Sequence, residues 1–326
     1  MDVRQLQYNE ALNEALIEEM TRDEKVILIG EDVGAYGGVF KVSKGLLERF
    51  GPERIRDTPI CESAIIGTAT GAALMGMRPV AEISFIDFIL LAMDQIGNHV
   101  AKIMQIAPGL LELPMVIRTE GGVGGGIGCQ HSQSLEALFA HLPGLKIVMP
   151  STPYDAKGLL KTAIRDNTPV MCIENKKLYA LKGPVPEEEY FVPIGKADVK
   201  REGKDITIIA TSFMVHEALK AAEALEKDGI SAEVVDPRTL VPLDVDTLVA
   251  SVKKTARALV VHEAVERCGI GAEISAVLNE KAYDYLDGPV LRHAGLNVSL
   301  PQNWHLEPVC IPSADSIREK VKSILG

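Results

Sequence analysis

The chain has 326 residues, the length of about two domains, and 47% of them are apolar while 24% are charged, as in an ordered globular protein. Its net charge is −11 at pH 7 and no block of basic residues stands out, so the sequence argues against nucleic acid or an anionic membrane as a partner. The five cysteines are widely spread and form no CxxC pair, which argues against a zinc site and a disulfide framework and indicates a reducing compartment. No secretory signal is visible in the first residues, so we expect a cytoplasmic protein.

The first half of the chain alternates between helical and strand patterns. Apolar residues recur at helical spacing from Ala11 to Met20, with Asn9 as the predicted N-cap. The uncharged run Ser63–Met77 is shorter than the about 20 residues of a membrane span and predicts a buried helix. The continuously apolar run Val26–Ile29 is typical of a strand buried on both faces of a parallel sheet. Within the uncharged run the helix is expected over Ile65–Met75, and the other predicted helices are Ser43–Phe50, Ile89–Ile106 and a helix capped by Thr152 that ends near Arg165. The other predicted strands are Pro79–Phe85, Met115–Arg118, Leu145–Met149 and Val170–Ile173.

The polar, proline-bearing segment 181–204 predicts a linker, and a second alternating series follows it. Its predicted strands are Ile206–Ala210, Ala232–Val235, Ala258–His262 and a short strand near Val290, and its predicted helices are Val215–Asp228, Asp244–Lys254, Gly271–Tyr283 and Ser313–Leu325. Strands that alternate with helices predict parallel sheets covered on both faces. The expected fold is therefore α/β with two doubly wound domains, residues 1–180 and 205–326, joined by the linker 181–204.

The motifs that are absent exclude several enzyme classes. The glycine-rich segment Gly121–Gly128 has no GxGxxG frame, so the dinucleotide-binding fingerprint is missing. The sequence also has no Walker A, HExxH or GxSxG motif. It contains no Gly-Asp-Gly, the start of the usual magnesium-diphosphate motif of thiamine enzymes.

Glu62 is the first candidate catalytic residue. It precedes an apolar helix, where an acid usually only complements the helix dipole. Its apolar neighbours, however, favour the neutral carboxyl, which can then exchange protons near neutral pH.

Three further features point to a ligand site. His131 ends the glycine-rich loop, which lets the backbone approach a ligand closely, although a lone histidine is more often structural. Phe88 follows a predicted strand, at the end where α/β proteins bind ligands, although its default place is the core. The segment Ala163–Pro169 lies at a helix end, whose carbonyls can hold a cation or simply form an ordinary turn.

In their order and spacing, these segments resemble the β subunit of the thiamine-diphosphate-dependent E1 component of 2-oxo acid dehydrogenase complexes. The resemblance covers essentially the whole chain and is closest to the acetoin and pyruvate dehydrogenase β subunits. Its most specific segments are Arg56–Glu62, Ala92–Ile96, Gln130–Gln133, Pro143–Lys146 and Asp155–Leu159. It implies a pyrimidine-binding N-terminal domain and a transketolase-type C-terminal domain.

The resemblance also implies roles for individual residues. Glu62 matches the glutamate that protonates the aminopyrimidine ring of the cofactor. Phe88 matches the aromatic residue that stacks on this ring, and Ile60 and Ser84 match positions that line the same pocket. His131 matches the histidine that contacts the substrate or the reaction intermediate. Some relatives hold a potassium ion, mostly through carbonyl groups, at the positions of Met115, Ala163, Ile164, Asp166 and Thr168.

The partners follow from the same resemblance. Since Gly-Asp-Gly is missing, a separate α subunit is expected to hold the diphosphate and Mg²⁺, in an α2β2 heterotetramer that passes the acyl or hydroxyalkyl unit to a lipoyl-bearing E2. The alternatives are a split-chain transketolase-like C–C transferase and a non-catalytic partner subunit, which the retention of Glu62 and His131 disfavours. Cys61, Met104 and the segment Asn297–Pro301 depart from the family pattern. These departures leave the choice between pyruvate, acetoin and a branched-chain 2-oxo acid open.

Overall fold

A computed structural model describes residues 4–326, which divide into two compact units. The first unit comprises the described residues up to Gly121 together with Leu138–Ile194, and the second comprises Gly122–Ala137 and Gly195–Gly326. The glycine-rich loop therefore belongs to the second unit, although its sequence lies between two strands of the first. As limits of sequence domains, 1–180 and 205–326 stay a prediction.

The first unit is an α/β layer built on parallel strands. These strands are hydrogen-bonded in the order β6, β7, β5, β4, β2, β3, and β1 pairs antiparallel with β8. Its strands are β1 (Gln5–Gln7), β2 (Val26–Gly30), β3 (Ile55–Asp57), β4 (Arg78–Phe85), β5 (Val116–Gly121), β6 (Lys146–Val148), β7 (Val170–Asn175) and β8 (Lys182–Pro184). The α-helices of the chain up to β7 are α1 (Tyr8–Arg22), α2 (Leu46–Phe50), α3 (Glu62–Leu74), α4 (Ile103–Ile106), α5 (Glu136–Ala140) and α6 (Pro153–Arg165).

The apolar runs of this unit form the strands that the sequence predicts. Every residue of β2, β5 and β7 is buried, as expected for strands covered on both faces. Thr152 caps α6 as predicted, since its Oγ1 accepts a hydrogen bond from the N–H of Asp155 at 3.1 Å.

The second unit is another α/β layer, with strands in the order β14, β13, β10, β11, β9. Only β9 runs antiparallel to its neighbour, and the other pairs are parallel. Its strands are β9 (Asp198–Arg201), β10 (Ile206–Ala210), β11 (Ala232–Asp236), β12 (Thr239–Val241), β13 (Ala258–Val265) and β14 (Leu291–Gly295), and its helices are α7 (Met214–Lys227), α8 (Val245–Thr255), α9 (Ile270–Ala282) and α10 (Ala314–Leu325). Helices α7 and α10 pack on β10, β11 and β13 in one apolar core.

Two predictions about the elements were wrong. The expected helix Ile89–Ile106 is three short segments, a 3₁₀ turn Phe88–Ala92, a π-helical turn Gln95–Val100 and α4. Asn9 does not cap α1, because the helix begins directly after β1 and the backbone N–H of Gln7 donates to Glu10 Oε2 at 2.8 Å. The segment 181–204 contains β8 and β9, and its role as a linker between two domains stays a prediction.

Candidate active site

Glu62 is the first residue of α3, and its side chain is almost buried, with 8% exposure. The sequence predicts an acid at a helix start here, and the structure confirms this placement. The free N–H groups and the dipole at a helix N-terminus favour a carboxylate there. Ile65 and Ile66, one turn further, are buried and make the surroundings of the carboxyl apolar.

A cleft of about 90 Å³ opens beside Glu62 in the first unit. It lies where the parallel strands β2 and β4 end, the edge of an α/β sheet that typically binds ligands. Its lining residues are Glu31, Val39, Glu62, Ile65, Glu82, Ile83, Ser84, Phe85 and Phe88.

The cleft brings together three of the four residues expected around a cofactor ring. Glu62, Ser84 and Phe88 all line it. Phe88 is half-buried, and its ring meets the ring of Phe85 edge to face at a centroid distance of 5.9 Å. Ile60 is 73% exposed and is not among the lining residues.

The carboxyl groups of Glu31 and Glu82 also line the cleft, and no sequence motif marks either residue. Burial raises the pKa of Glu31, and the charges of Asp32 and Glu62 raise it further. Burial likewise raises the pKa of Glu82, although the Arg118 guanidinium opposes this. The only signal for Glu82 in the sequence is a charged residue within an otherwise apolar strand.

Arg118 neutralises the buried carboxyl of Glu82. Its guanidinium pairs with Glu82 and with Glu174, whose Oε2 lies 2.7 Å from Nη2, and all three side chains are buried. Tyr179 donates a hydrogen bond to Glu174 at 2.8 Å. A buried ion pair of this kind needs both partners, because either charge alone would be strongly destabilising.

His131 belongs to the second unit, at the end of the glycine-rich loop. Its side chain is half-buried, and its backbone N–H donates to the carbonyl of Gly128 at 3.2 Å. The loop is closed at its base, where the N–H of Gly122 donates to the carbonyl of Gln133 at 2.9 Å.

A larger cavity of about 390 Å³ lies within the second unit. The loop residues Cys129 and Ser132, Glu263 and the segment 295–300 line part of it. The smaller cleft differs from this cavity because it combines a nearly buried carboxyl with two aromatic rings.

The residues expected around a potassium ion lie together in the first unit. Arg78 Nη1 donates to the carbonyl of Ile164 at 2.9 Å and to that of Asp166 at 3.1 Å, so these two oxygens converge on one cationic group. Although burial alone would raise it, the hydrogen bonds from Lys146 and Thr168 hold the pKa of Asp166 below its ordinary value. Met115, Ala163 and Ile164 are buried.

Residues 4–326 contain no group of three or more His, Cys, Asp or Glu side chains placed to hold a metal ion. Within the same residues, no helix combines the length and the apolar character that crossing a membrane requires.

Comparisons with known proteins cover the chain almost completely. Residues 4–182 match the family described as "Transketolase, pyrimidine binding domain", and residues 195–317 match "Transketolase, C-terminal domain". The chain is 49% identical over 323 residues to the 2-oxoisovalerate dehydrogenase subunit beta of Bacillus subtilis, with 98% of each chain covered. It is 49% identical to the pyruvate dehydrogenase E1 component subunit beta of the same organism, with 97% of each chain covered.

Two more similarities complete this comparison. The chain is 48% identical to the acetoin:2,6-dichlorophenolindophenol oxidoreductase subunit beta of Cupriavidus necator, with 96% of each chain covered. A solved structure described as a split gene transketolase, an inactive β4 tetramer, matches with a TM-score of 0.79 and 24% identity over 98% of both chains. At this identity, the structural similarity shows the fold alone.

Proposed function

The chain belongs to the thiamine-diphosphate-dependent family of E1 β subunits of 2-oxo acid and acetoin dehydrogenases, and on that premise we propose that its catalytic acid is Glu62. Together with an E1 α subunit, it cleaves pyruvate, a branched-chain 2-oxo acid or acetoin. The acyl or hydroxyalkyl unit then passes to a lipoyl group on E2. The observation that carries this proposal is the nearly buried carboxyl at the first residue of α3, inside a cleft with two phenylalanine rings.

The cleft fits the pyrimidine end of thiamine diphosphate. Such a ring is flat and carries polar nitrogens at its edge, so it needs an aromatic or apolar face and a hydrogen-bonding carboxyl. Phe88 and Ile65 supply the first, and Glu62 supplies the second. Ser84 adds a hydroxyl that can donate or accept at the edge of the ring.

When bound, thiamine diphosphate would supply a carbanion, formed by loss of a ring proton, that can add to the substrate carbonyl, and an electron sink for the bond that breaks. The Glu62 carboxyl is the group placed to exchange a proton with a ring nitrogen of the cofactor. Because the carboxyl is nearly buried, bulk water does not compete for this proton. Phe88 orients the ring, so the proton is transferred along one fixed direction.

His131 contacts the substrate rather than the cofactor in this proposal. Its loop presents the imidazole from a half-buried position. An imidazole accepts a proton in its neutral form and donates one as the imidazolium, so it can serve a reacting oxygen near neutral pH.

The diphosphate and its Mg²⁺ are held mainly by the E1 α subunit, within an α2β2 heterotetramer. This chain has no Gly-Asp-Gly, and its net charge is −11. Holding a diphosphate needs a divalent ion and oriented donors, so these have to come from the partner chain.

A potassium ion binds at the oxygens of Met115, Ala163, Ile164, Asp166 and Thr168. Oxygen donors of this kind suit a hard cation, and Arg78 already draws two of these carbonyls to one point. Each carbonyl has a second lone pair left for an ion. In this role the ion is structural.

Turnover of the reconstituted α–β pair on a panel of substrates tests the proposal. Pyruvate, acetoin and a branched-chain 2-oxo acid are compared, with a lipoyl-bearing E2 as the acceptor. The proposal requires turnover of at least one of them. Transfer of a ketol group between sugar phosphates, without turnover of these substrates, would identify a split-chain transferase instead, and the absence of any turnover would identify a non-catalytic partner subunit.

A further inference from the structure

The buried carboxylate of Glu307 accepts hydrogen bonds from the glycine-rich loop that carries His131. Glu307 Oε1 accepts a hydrogen bond from the backbone N–H of Gly124, and Oε2 accepts one from Gly126, both at 2.5 Å. Glu263 Oε1 accepts a third, from the N–H of Val123. Both acids and the loop belong to the second unit.

Glu307 is well suited to accept these two hydrogen bonds. The side chain is 3% exposed, so water does not compete for its oxygens. An ionised carboxylate only accepts hydrogen bonds, and here two oxygens meet two N–H donors of one loop. Hydrogen bonds to a charged acceptor are roughly twice as strong as neutral ones.

The loop is also held where it packs most closely. Gly126 has φ +59°, and a Cβ on it would lie 2.9 Å from the backbone nitrogen of Trp304, so the chain approaches itself too closely for a side chain. The loop therefore packs directly against the segment 302–307. The Gly122–Gln133 hydrogen bond closes the two ends of the loop. The Gly128–His131 turn directly follows the part that is hydrogen-bonded to Glu307.

We propose that Glu307 is a positioning residue for His131, acting through the loop backbone. This inference rests on the proposed function of His131, because only then does the placement of its imidazole matter for turnover. With both Glu307 oxygens accepting hydrogen bonds from the loop, the loop has one conformation and the imidazole has one approach to the substrate. Without Glu307, two N–H groups lose their acceptor and the loop samples other conformations.

Hydrogen–deuterium exchange of the full chain tests the hydrogen bonds between Glu307 and the loop, and it does not depend on enzyme activity. In Glu307→Gln, one oxygen becomes an NH₂ group that faces an N–H donor, so the amides of residues 122–135 should exchange roughly tenfold faster or more, as expected for the loss of charge-assisted hydrogen bonds. Glu319→Gln, an exposed position on α10, is the matched control and should leave this peptide unchanged. Unchanged exchange in Glu307→Gln overturns the proposal.

A double-mutant cycle on the reconstituted α–β pair tests the link to His131. Glu307→Gln should lower kcat by roughly tenfold or more while its KM for substrate changes little, since a positioning residue acts in the transition state. If Glu307 acts through His131, Glu307→Gln should have little further effect in a His131→Ala background. Additive losses overturn the positioning role, because a general loss of folding would add to either background. If His131→Ala itself keeps full turnover, the proposed role of His131 fails and the positioning role fails with it, while the exchange data still report the hydrogen bonds between Glu307 and the loop.

Discussion

The carboxyl group of Glu62 and the ring of Phe88 line the same cleft, although one begins α3 and the other follows β4. Strand β3, which precedes α3, pairs parallel with β2, and β2 pairs parallel with β4, so the ends of β3 and β4 lie at one edge of the sheet. A proton donor and a flat apolar surface are the two features that a pyrimidine ring needs, and here they come from separate elements.

His131→Ala should lower turnover of the reconstituted α–β pair by roughly 10²–10⁴-fold, the usual range for the loss of a general acid or base. Its affinity for thiamine diphosphate should stay close to that of the wild type, because His131 contacts the substrate in our account. Steady-state kinetics and calorimetry separate the two effects. His141→Ala, at an exposed histidine, serves as the control. A variant whose main defect is cofactor binding would contradict the assignment.

The purified chain without its α subunit should be catalytically silent and should bind thiamine diphosphate weakly. The chain has no Gly-Asp-Gly, and its net charge of −11 disfavours an anionic ligand. Contacts to the pyrimidine ring leave some residual affinity. Calorimetry with Mg²⁺ and thiamine diphosphate, before and after addition of the α chain, measures the difference. Tight binding by the single chain would show that it holds the diphosphate itself.

Potassium should stabilise the first unit more than sodium does at the same ionic strength. A ligand that binds only the folded state adds about 2.7 kcal/mol at a concentration of 100 Kd, so the melting temperature should rise with potassium concentration. Thermal melts in potassium, sodium and choline chloride make the comparison. Equal melting temperatures in the three salts would rule out a potassium site at Asp166 and its neighbours.

Glu136 should make stability depend on pH. Burial, aided by the charge of Glu263, raises the pKa of Glu136 from 4.5 to about 7. A carboxyl whose folded-state pKa lies above its unfolded value loses stability as the pH rises from 4.5 through 7, because the fold must then carry a buried charge. Removing the charge should therefore stabilise the protein at pH 8 by about 3 kcal/mol, at 1.36 kcal/mol per pKa unit, and have little effect at pH 4.5.

Urea unfolding of Glu136→Gln and of the wild type at the two pH values checks this prediction. Glu280→Gln, at an exposed position of α9, is the control and should shift neither curve. A stability difference between Glu136→Gln and the wild type that is the same at both pH values would show that Glu136 does not titrate in this range.

Local sequence signals account for most of the long elements. The apolar run of β2 and the buried strand Ile206–Ala210 need no distant information, because a strand covered on both faces is apolar throughout. Thr152 fits its cap because capping depends on neighbours in the chain. The helix expected over Ile89–Ile106 was wrong, and its interruption includes Gly97 and Asn98, which both have low helix propensity.

Long-range pairing is what the sequence does not show. Strand β1 has three residues and finds its partner in β8, near the other end of the first unit, so no local pattern predicts it. The same limit applies to the site. Apolar neighbours point to Glu62, whereas the partners of Glu307 lie 181 and 183 residues away in the chain, and only the fold brings them together.

The central claim is that Glu62 exchanges a proton with the cofactor, and the most direct test is C2 proton exchange of thiamine diphosphate in the reconstituted α–β pair. Glu62→Gln is nearly isosteric and keeps a hydrogen bond, but it has no proton to exchange. We expect it to slow the exchange by roughly 10²–10⁴-fold or more while the fold is retained, and Glu48→Gln, at an exposed acid of α2, to leave the rate unchanged. Exchange at close to the wild-type rate in folded Glu62→Gln would contradict the account.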